Sequence, residues 1–476
     1  MNLDSFLLMR HEMVLTIITL MVLIAELSFN EEKKSNVIWF ATILFGINVV
    51  VGLLPNVSGN LFGNMYKNTD LQWTMKNILN LGVLVVLLQS VEWLKTIENK
   101  YKISEFYLLI FSTLIGMQFM ISSGSFLMLY LGLELATIPM AALAAYDRYR
   151  HHSAEAGIKL ILSASMSSAV MILGISFIYG STGSTYFDVV ALKYASIVPL
   201  QTLAFIFFFS GMAFKISLVP FHLWTADVYE GSPVNVTSYL SVISKGASAF
   251  ILIIVLFTVF NSISVIWKPL LYIISIATMT VGNLFALRQQ NMRRFLAFSS
   301  IAQAGFILLG MLSGSSIGMT SVVYFVFVYI FSNLGAFGVV SVIYYKTQKE
   351  NMDDYNGLYH TNPKLSLIMT LALFSLAGVP PVAGYFGKFF LFTAAVTAPE
   401  HYYWLVFIAV LNATISLYYY LLVIKAMFIN KNETPIAYFK TDVPAKIALS
   451  ICVFGIFFIG FFSIIYQYIQ GVSFGI

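Results

Sequence analysis

Apolar stretches about as long as a membrane-crossing helix recur along the whole chain. They lie near residues 12–28, 37–55, 75–93, 104–122, 124–146, 157–180, 196–224, 232–260, 266–287, 294–313, 317–345, 365–397, 402–428 and 444–470. One crossing helix needs about 20 mostly apolar residues, so the pattern predicts an all-α integral membrane protein of about fourteen transmembrane helices. The runs are continuous, without the alternation of an outer-membrane β-barrel. Connections are mostly short, which predicts antiparallel packing of neighbouring helices. No polar domain interrupts residues 1–476, so the chain reads as a single membrane domain.

Composition supports the same solvent. The chain is 59% hydrophobic and 10% charged, against roughly 25% charged in soluble domains. That is too little charge to cover a water-facing surface. The net charge of +5 is small for 476 residues and does not point to nucleic acid. The single cysteine, Cys452, excludes a disulfide framework within the chain and reads as a small apolar filler. Met13 to Leu27 is apolar, but Asp4 and Glu12 precede it and no small-residue cleavage site follows, so it is expected to be a retained span and not a signal peptide.

Loop charges set an orientation. On one side lie Lys33, Lys34, Lys95, Lys100, Lys102, Arg148, Arg150, Arg288, Arg293, Arg294, Lys346, Lys349, Lys364, Lys425, Lys431, Lys440 and Lys446, which are 17 of the 26 basic residues. The side that carries the termini holds 5: Arg10, Lys67, Lys76, Lys193 and Lys268. The bias predicts basic loops in the cytoplasm and both termini outside.

The four remaining basic residues, Lys159, Lys215, Lys245 and Lys388, fall inside the apolar runs, as does Glu134. A charge at the centre of a membrane helix costs about 2.5–3.5 kcal/mol on insertion scales. Five together cost on the order of 10–15 kcal/mol, comparable to the net stability of an ordinary domain. Such residues point to a transport path. Lys159 lies nearer its segment's start, where snorkelling to the interface is the alternative; Ser163, Ser165, Ser167 and Ser168 follow it as a polar stripe. His222, seven residues after Lys215, suits a proton relay because its side chain titrates near neutral pH, although a structural histidine is the alternative. His151 and His152 read as part of a solvated loop. A lysine poised between burial, which disfavours its charge, and a nearby carboxylate, which restores it, can take up or release a proton when a neighbouring charge moves.

Two of the lysines lie beside helix breakers. Pro220 interrupts the seventh segment after Lys215, and Gly378, Pro380, Pro381 and Gly384 interrupt the twelfth before Lys388. An interior proline removes a backbone hydrogen bond, so both helices are expected to be discontinuous. The five-segment offset between them is odd and would invert one copy in the membrane, the pattern of inverted-repeat transporters.

The run FKISLVPFHLWTADVYEGSPVNVTSYLSVISKGASAF closely resembles the proton-antiporter-like membrane subunits of respiratory complex I, with the details of the subunit N branch of NADH–quinone oxidoreductase. LGLELATIP around Glu134, EAGIKLILSASMSSA around Lys159, LRQQNMRRFLAFSSIAQAGF from Leu287 and SLAGVPPVAGYFGKFFLF around Lys388 are similar to it too. Ala226 and Asn235 depart from prolines common in the family's loop.

The resemblance implies three N-terminal helices over 1–103, five-helix repeats over 104–260 and 261–430, and a C-terminal helix over 431–476. It implies that Glu134 pairs with Lys215, that Lys245 lies on a central hydrated axis, that Lys388 serves a second half-channel, and that Lys159 and His222 join the path. It places the chain in a bacterial inner membrane, beside other membrane subunits and a peripheral NADH-oxidising arm. No cofactor is expected in this chain; FMN, iron–sulfur clusters and quinone would belong to partner subunits. An Mrp-type Na⁺/H⁺ antiporter and a hydrogenase membrane arm are the rival assemblies, and a scaffold without an ion path is the rival of another class.

Overall fold

The computed structural model describes residues 7–29, 34–96, 98–194 and 198–473; Asp4 and Lys33 lie outside the described residues. The helices run in order α1 (Arg10–Ser28), α2 (Asn36–Gly52), α3 (Asp70–Leu94), α4 (Ile103–Ile121), α5 (Phe126–Ala144), α6 (His151–Thr182), α7 (Pro199–Ile216), α8 (Leu223–Gly231) and α9 (Val234–Thr258). They continue as α10 (Ser264–Ala286), α11 (Met292–Leu312), α12 (Ser316–Thr347), α13 (Pro363–Ala377), α14 (Ala383–Thr397), α15 (Tyr403–Phe428), α16 (Val443–Phe461) and α17 (Ile464–Ser473).

Among the described residues, 12 helices are long and apolar enough to cross a membrane. Each apolar run of the sequence falls on a helix or a pair of helices. The second run forms the 17-residue α2, and the twelfth is divided between α13 and α14, of 15 residues each. An antiparallel hairpin, β1 (Gly59–Leu61) with β2 (Tyr66–Asn68), joins α2 to α3; the hydropathy pattern had given no sign of it.

Burial separates axis from periphery. The most apolar stretches of α11, α9 and α12 are 100%, 94% and 89% buried, while those of α1, α6 and α15 are 33% buried and face outward. Lys245 of the candidate site therefore sits on a helix that touches little but protein.

Side chains and small residues fix the helix ends and contacts. Thr69 and Gln72 form a capping box at the start of α3, and Asn291 caps α11 on Arg293 N and Arg294 N, each satisfying orphan amides. α4 and α5 approach through glycine. A Cβ on Gly132 would lie 2.7 Å from Met120 N and 2.8 Å from Gly116 O, so only glycine admits this contact. α10 and α11 meet in the same way, with Gly282 against Ala302 N at 2.6 Å. Five segments apart, the chain thus presents the same series twice: a close-packed pair, a 32-residue helix (α6, α12) and a broken helix.

Candidate functional site

The first break ends α7 at Ile216, where Ser217 takes a left-handed conformation at φ 67°. The second ends α13 at Ala377, with Gly378 at φ 88°. Backbone groups freed inside a bilayer need protein partners, and they find them. Trp224 Nε1 donates to Phe214 O at 3.2 Å, and Val219 N donates to Thr278 Oγ1 at 3.1 Å. At the second break Gln303 Nε2 donates to Leu376 O at 3.2 Å, and Gly384 N donates to Ser375 Oγ at 3.2 Å.

Lys215, in the last turn of α7, is 8% exposed, and its Nζ donates to Thr137 Oγ1 at 2.6 Å. Glu134 stands one turn before Thr137 on α5 and acts on the Lys215 ammonium through space. The two are coupled electrostatically and not by a hydrogen bond: Lys215 is held by the hydroxyl, Glu134 is half-buried, and its Oε1 is buried without a hydrogen-bond partner. A cavity of about 10 Å³ lined by Thr137, Ser167, Ser168 and Lys215 lies here, close to the size of one water.

Lys245 opens the regular part of α9, directly after a π turn at Leu240–Ser244; such turns recur at functional positions. It is 4% exposed, donates to Ser300 Oγ at 2.5 Å and lies 5.3 Å from the centre of the Tyr229 ring. His222, just past the first break, interacts electrostatically with Lys245, and its Nδ1 is buried and unpartnered. The break separates His222 from the continuous helix that carries Lys215. Lys388, 4% exposed on α14, donates to Ala377 O at 2.9 Å and lies 4.6 Å from the centre of the Phe306 ring.

Lys159 is different. Its side chain is 42% exposed and forms ion pairs with Glu155 at 2.8 Å and Asp227 at 2.7 Å. Unlike the other three lysines it is not buried, which fits the interfacial alternative. Asp227 also accepts from Arg294 at 2.8 Å, and Arg294 pairs with Glu230 at 2.8 Å. Burial raises the Asp227 carboxyl, but the hydrogen bonds from Lys159 and Arg294 outweigh it and hold the group below the ordinary carboxylate range. These residues line a cavity of about 520 Å³ on the face with the basic loops, together with Asp147, Glu155 and Glu350. Sequence reasoning quoted the Asp227 and Arg294 motifs without giving either residue a role.

A second buried charge cluster was missed outright. Lys76, counted above as a loop residue, is 0% exposed and pairs at 2.6 Å with Glu12, itself 1% exposed. It also donates to Tyr66 Oη at 2.9 Å, and Tyr66 donates to Glu12 Oε2 at 3.0 Å. Removing Lys76 from the loop count sharpens the charge asymmetry between the two faces.

Comparison with known proteins agrees with this geometry. Residues 123–416 match the family described as NADH:quinone oxidoreductase/Mrp antiporter, TM. The chain is 51% identical over 474 residues to NADH-quinone oxidoreductase subunit N of Phocaeicola vulgatus, covering 99% of this chain and 100% of that one. It is 47% identical over 480 residues to the subunit N of Azobacteroides pseudotrichonymphae, covering 100% and 99%. Among solved structures it is similar to a chain of respiratory complex I from Thermus thermophilus, with TM-score 0.77, 25% identity and coverage of 97% and 96%. A chain of the Mrp complex from Dietzia sp. gives TM-score 0.85 at 18% identity, covering 99% and 97%, a likeness of fold alone.

Proposed function

The chain belongs to the NADH-quinone oxidoreductase subunit N family, and from that premise we propose that Glu134, Lys215, Lys245 and Lys388, with His222 and the more peripheral Lys159, form its proton path. It is an antiporter-like, proton-translocating membrane subunit that works beside other membrane subunits and a peripheral arm. We place FMN, the iron–sulfur clusters and quinone in those partners, so that this chain turns their energy into proton movement.

One observation carries the assignment. Lys215, Lys245 and Lys388 are all buried, and each Nζ rests on a neutral acceptor: a threonine hydroxyl, a serine hydroxyl or a backbone carbonyl. An ammonium held in this way is not locked in a hydrogen-bonded ion pair, so a neighbouring charge can decide when it gives up its proton. Glu134 supplies that charge for Lys215. The charged cavity around Asp227 is suited to gather protons, and His222 to pass them toward Lys245. The repeated series of close pair, long helix and broken helix supports repeats over 104–260 and 261–430, flanked by 1–103 and 431–476. The loop charges support basic loops in the cytoplasm and termini outside, in a bacterial inner membrane. Full-length identity to subunit N favours this assembly over an Mrp antiporter, whose likeness is one of fold.

The test begins with a tagged chain in gently solubilised membranes. It is expected to co-migrate with a large NADH-oxidising band on a native gel. Lys215→Ala and Glu134→Ala are expected to keep that band while coupled proton uptake into vesicles is lost. Co-migration with a smaller assembly that does not oxidise NADH, or normal pumping per electron in both variants, overturns the assignment.

A further inference from the structure

An apolar groove of about 490 Å³ lies between α2, α3, α12 and α17, with Val49, Leu53, Trp73, Leu81, Phe327 and Ile465 in its lining. At 10 residues, α17 is too short to cross a bilayer, which takes about 20. It is amphipathic: Ile465 and Ile469 line the groove, while Gln467 is exposed. Tyr466 anchors it, stacked on Phe390 of α14 at 3.9 Å between ring centres and edge-on to Tyr324 of α12 at 5.5 Å. An amphipathic helix of this kind lies in the plane of the membrane interface, so the groove beside it sits where headgroups meet acyl chains. Two donors at this end lack acceptors. Trp73 Nε1 is buried without a partner, and so is Nε of Arg10, a side chain only 7% exposed. The other guanidinium nitrogens of Arg10 donate to Leu54 O at 2.8 Å and Pro55 O at 3.1 Å, directly after Leu53 of the groove. Buried polar groups are nearly always paired in native proteins. The nearby carboxylates are engaged elsewhere, Glu12 by Lys76 and Asp70 by Asn56 and Ser58.

We propose that this groove holds one acyl chain of a phospholipid from the leaflet at the hairpin face, and that the lipid's phosphate or ester oxygens accept from Trp73 and Arg10. The lining is apolar and the two idle donors stand at its interfacial end, so chain and oxygens are met in the order a phospholipid presents them. Arginine suits a phosphate in particular, since its fork of N–H groups matches the oxygens. The volume falls in the ordinary range of small-molecule sites, about 300–1,000 Å³. It admits a hydrocarbon chain and not a partner's helix, which is about 10–12 Å across with its side chains. The bound chain fills the space between α3 and α17. Through Tyr466 and Phe390 it also backs α14, the helix that carries Lys388. The inference stands apart from the lysine path and does not need it.

The experiment uses the assembled complex in vesicles of phosphatidylethanolamine and phosphatidylglycerol, with a portion of the phosphatidylglycerol carrying a diazirine on its acyl chain. After illumination the labelled peptides are mapped. Label is expected to concentrate on α3 around Leu81 and on α17 around Ile465, above the level on the outward faces of α6 and α15. Leu81→Trp fills the groove and is expected to abolish that label while the NADH-oxidising band stays in place. Trp73→Phe keeps a ring, removes the donor and is expected to weaken the label about fivefold, the net worth of one hydrogen bond. A diazirine-bearing diacylglycerol, which has the chain without the phosphate, is expected to label the groove less than the phospholipid does; equal labelling overturns the proposal. Label spread evenly over the outward helices and unchanged by Leu81→Trp means bulk lipid only and overturns it as well. So does a photoreactive residue in place of Ile464 that crosslinks to another chain of the complex and not to lipid. If Leu81→Trp does not assemble, the wild-type map and the headgroup comparison decide.

Discussion

The Glu12–Lys76 pair makes a sharp prediction about stability. Both side chains are essentially without solvent access, and the 2.6 Å contact is backed by Tyr66, which accepts from one partner and donates to the other. Breaking such a pair from one side leaves an uncompensated buried charge and costs about 3–5 kcal/mol. Lys76→Met does this, because methionine fills the lysine stem's volume but leaves the Glu12 carboxylate with only the Tyr66 hydroxyl. Replacing both partners is a different perturbation. Lys76→Met with Glu12→Gln removes the stranded charge, and exchanging a whole buried pair for neutral groups is often neutral or stabilising, by about 1–4 kcal/mol. The expected result is a strong single effect and a double variant close to wild type, with a coupling of at least about 2 kcal/mol in the double-mutant cycle. The assay is retention of the tagged subunit in the detergent-purified complex across a temperature or denaturant series, read on native gels. A Lys76→Met complex within about 0.5 kcal/mol of wild type, the range of ordinary surface changes, would refute the reasoning.

Other perturbations address the site and its frame. Lys388→Ala is expected to preserve assembly and abolish the second half-channel's share of pumping; unaltered pumping per electron removes that half-channel from the mechanism. Thr137→Val keeps the volume but takes away the hydroxyl that receives the Lys215 proton at 2.6 Å. It should therefore impair pumping less than Lys215→Ala, and an effect as large would mean that the hydroxyl itself is essential. Gly132→Ala drives a methyl into Met120 N at 2.7 Å and should cost about 1–3 kcal/mol, as overpacking does, checked by the same retention series. Asp147, in the loop before α6, is held above the ordinary carboxylate range by burial, which Arg150 counters only in part, and its Oδ1 has no partner. The unfolded chain therefore ionises first as pH rises, and wild type loses stability between the ordinary aspartate value and the raised folded one. Asp147→Asn should be more thermostable than wild type at neutral pH and equal to it below about pH 3.9; an advantage that persists in acid would contradict the sign.

The spans were legible because lipid imposes a crude requirement, about 20 apolar residues per crossing, and every apolar run is helical. The breaks in the seventh and twelfth segments were legible because Pro220 and the Gly378–Gly384 cluster leave little alternative in a helix. Lys215, Lys245 and Lys388 stood out because no other charged residue lies near them within their apolar runs. Lys76 did not. It follows a polar hairpin and sits in the second turn of α3, so it read as interfacial, and its partner is 64 positions away on α1. Lys159 was ambiguous for the complementary reason: its partner Asp227 lies 68 positions on, across the first break. Glu134 acts on Lys215 through space while Thr137 takes the hydrogen bond, because a helix places residues 134 and 137 on neighbouring sites of one face. Isolated hydroxyls on different helices give no sign of which will meet, which is why the groups around Ser300 emerged only from packing.

Burial alone therefore does not mark a transport lysine. Lys76 is the most buried of the lysines compared, yet it is tied to a carboxylate at 2.6 Å and buttressed by a phenol, so moving its proton would leave Glu12 charged in a dry site. Lys159 meets carboxylates as well, but in the open, where screening by water makes each contact weak. Lys215, Lys245 and Lys388 combine burial with neutral acceptors. For Lys245 and Lys388, loss of the proton removes a buried charge without breaking an ion pair; for Lys215 the half-buried Glu134 is the charge that governs that loss. The acceptor atom is what distinguishes a lysine that braces the fold from one that can pass a proton along it, and in this chain that atom comes from Thr137, Ser300 and the Ala377 carbonyl. If the distinction is sound, giving Lys245 a carboxylate, by Ser300→Asp, should stop proton transfer while the subunit stays assembled. A Ser300→Asp complex that still pumps would mean that the neutral acceptor is incidental to transport.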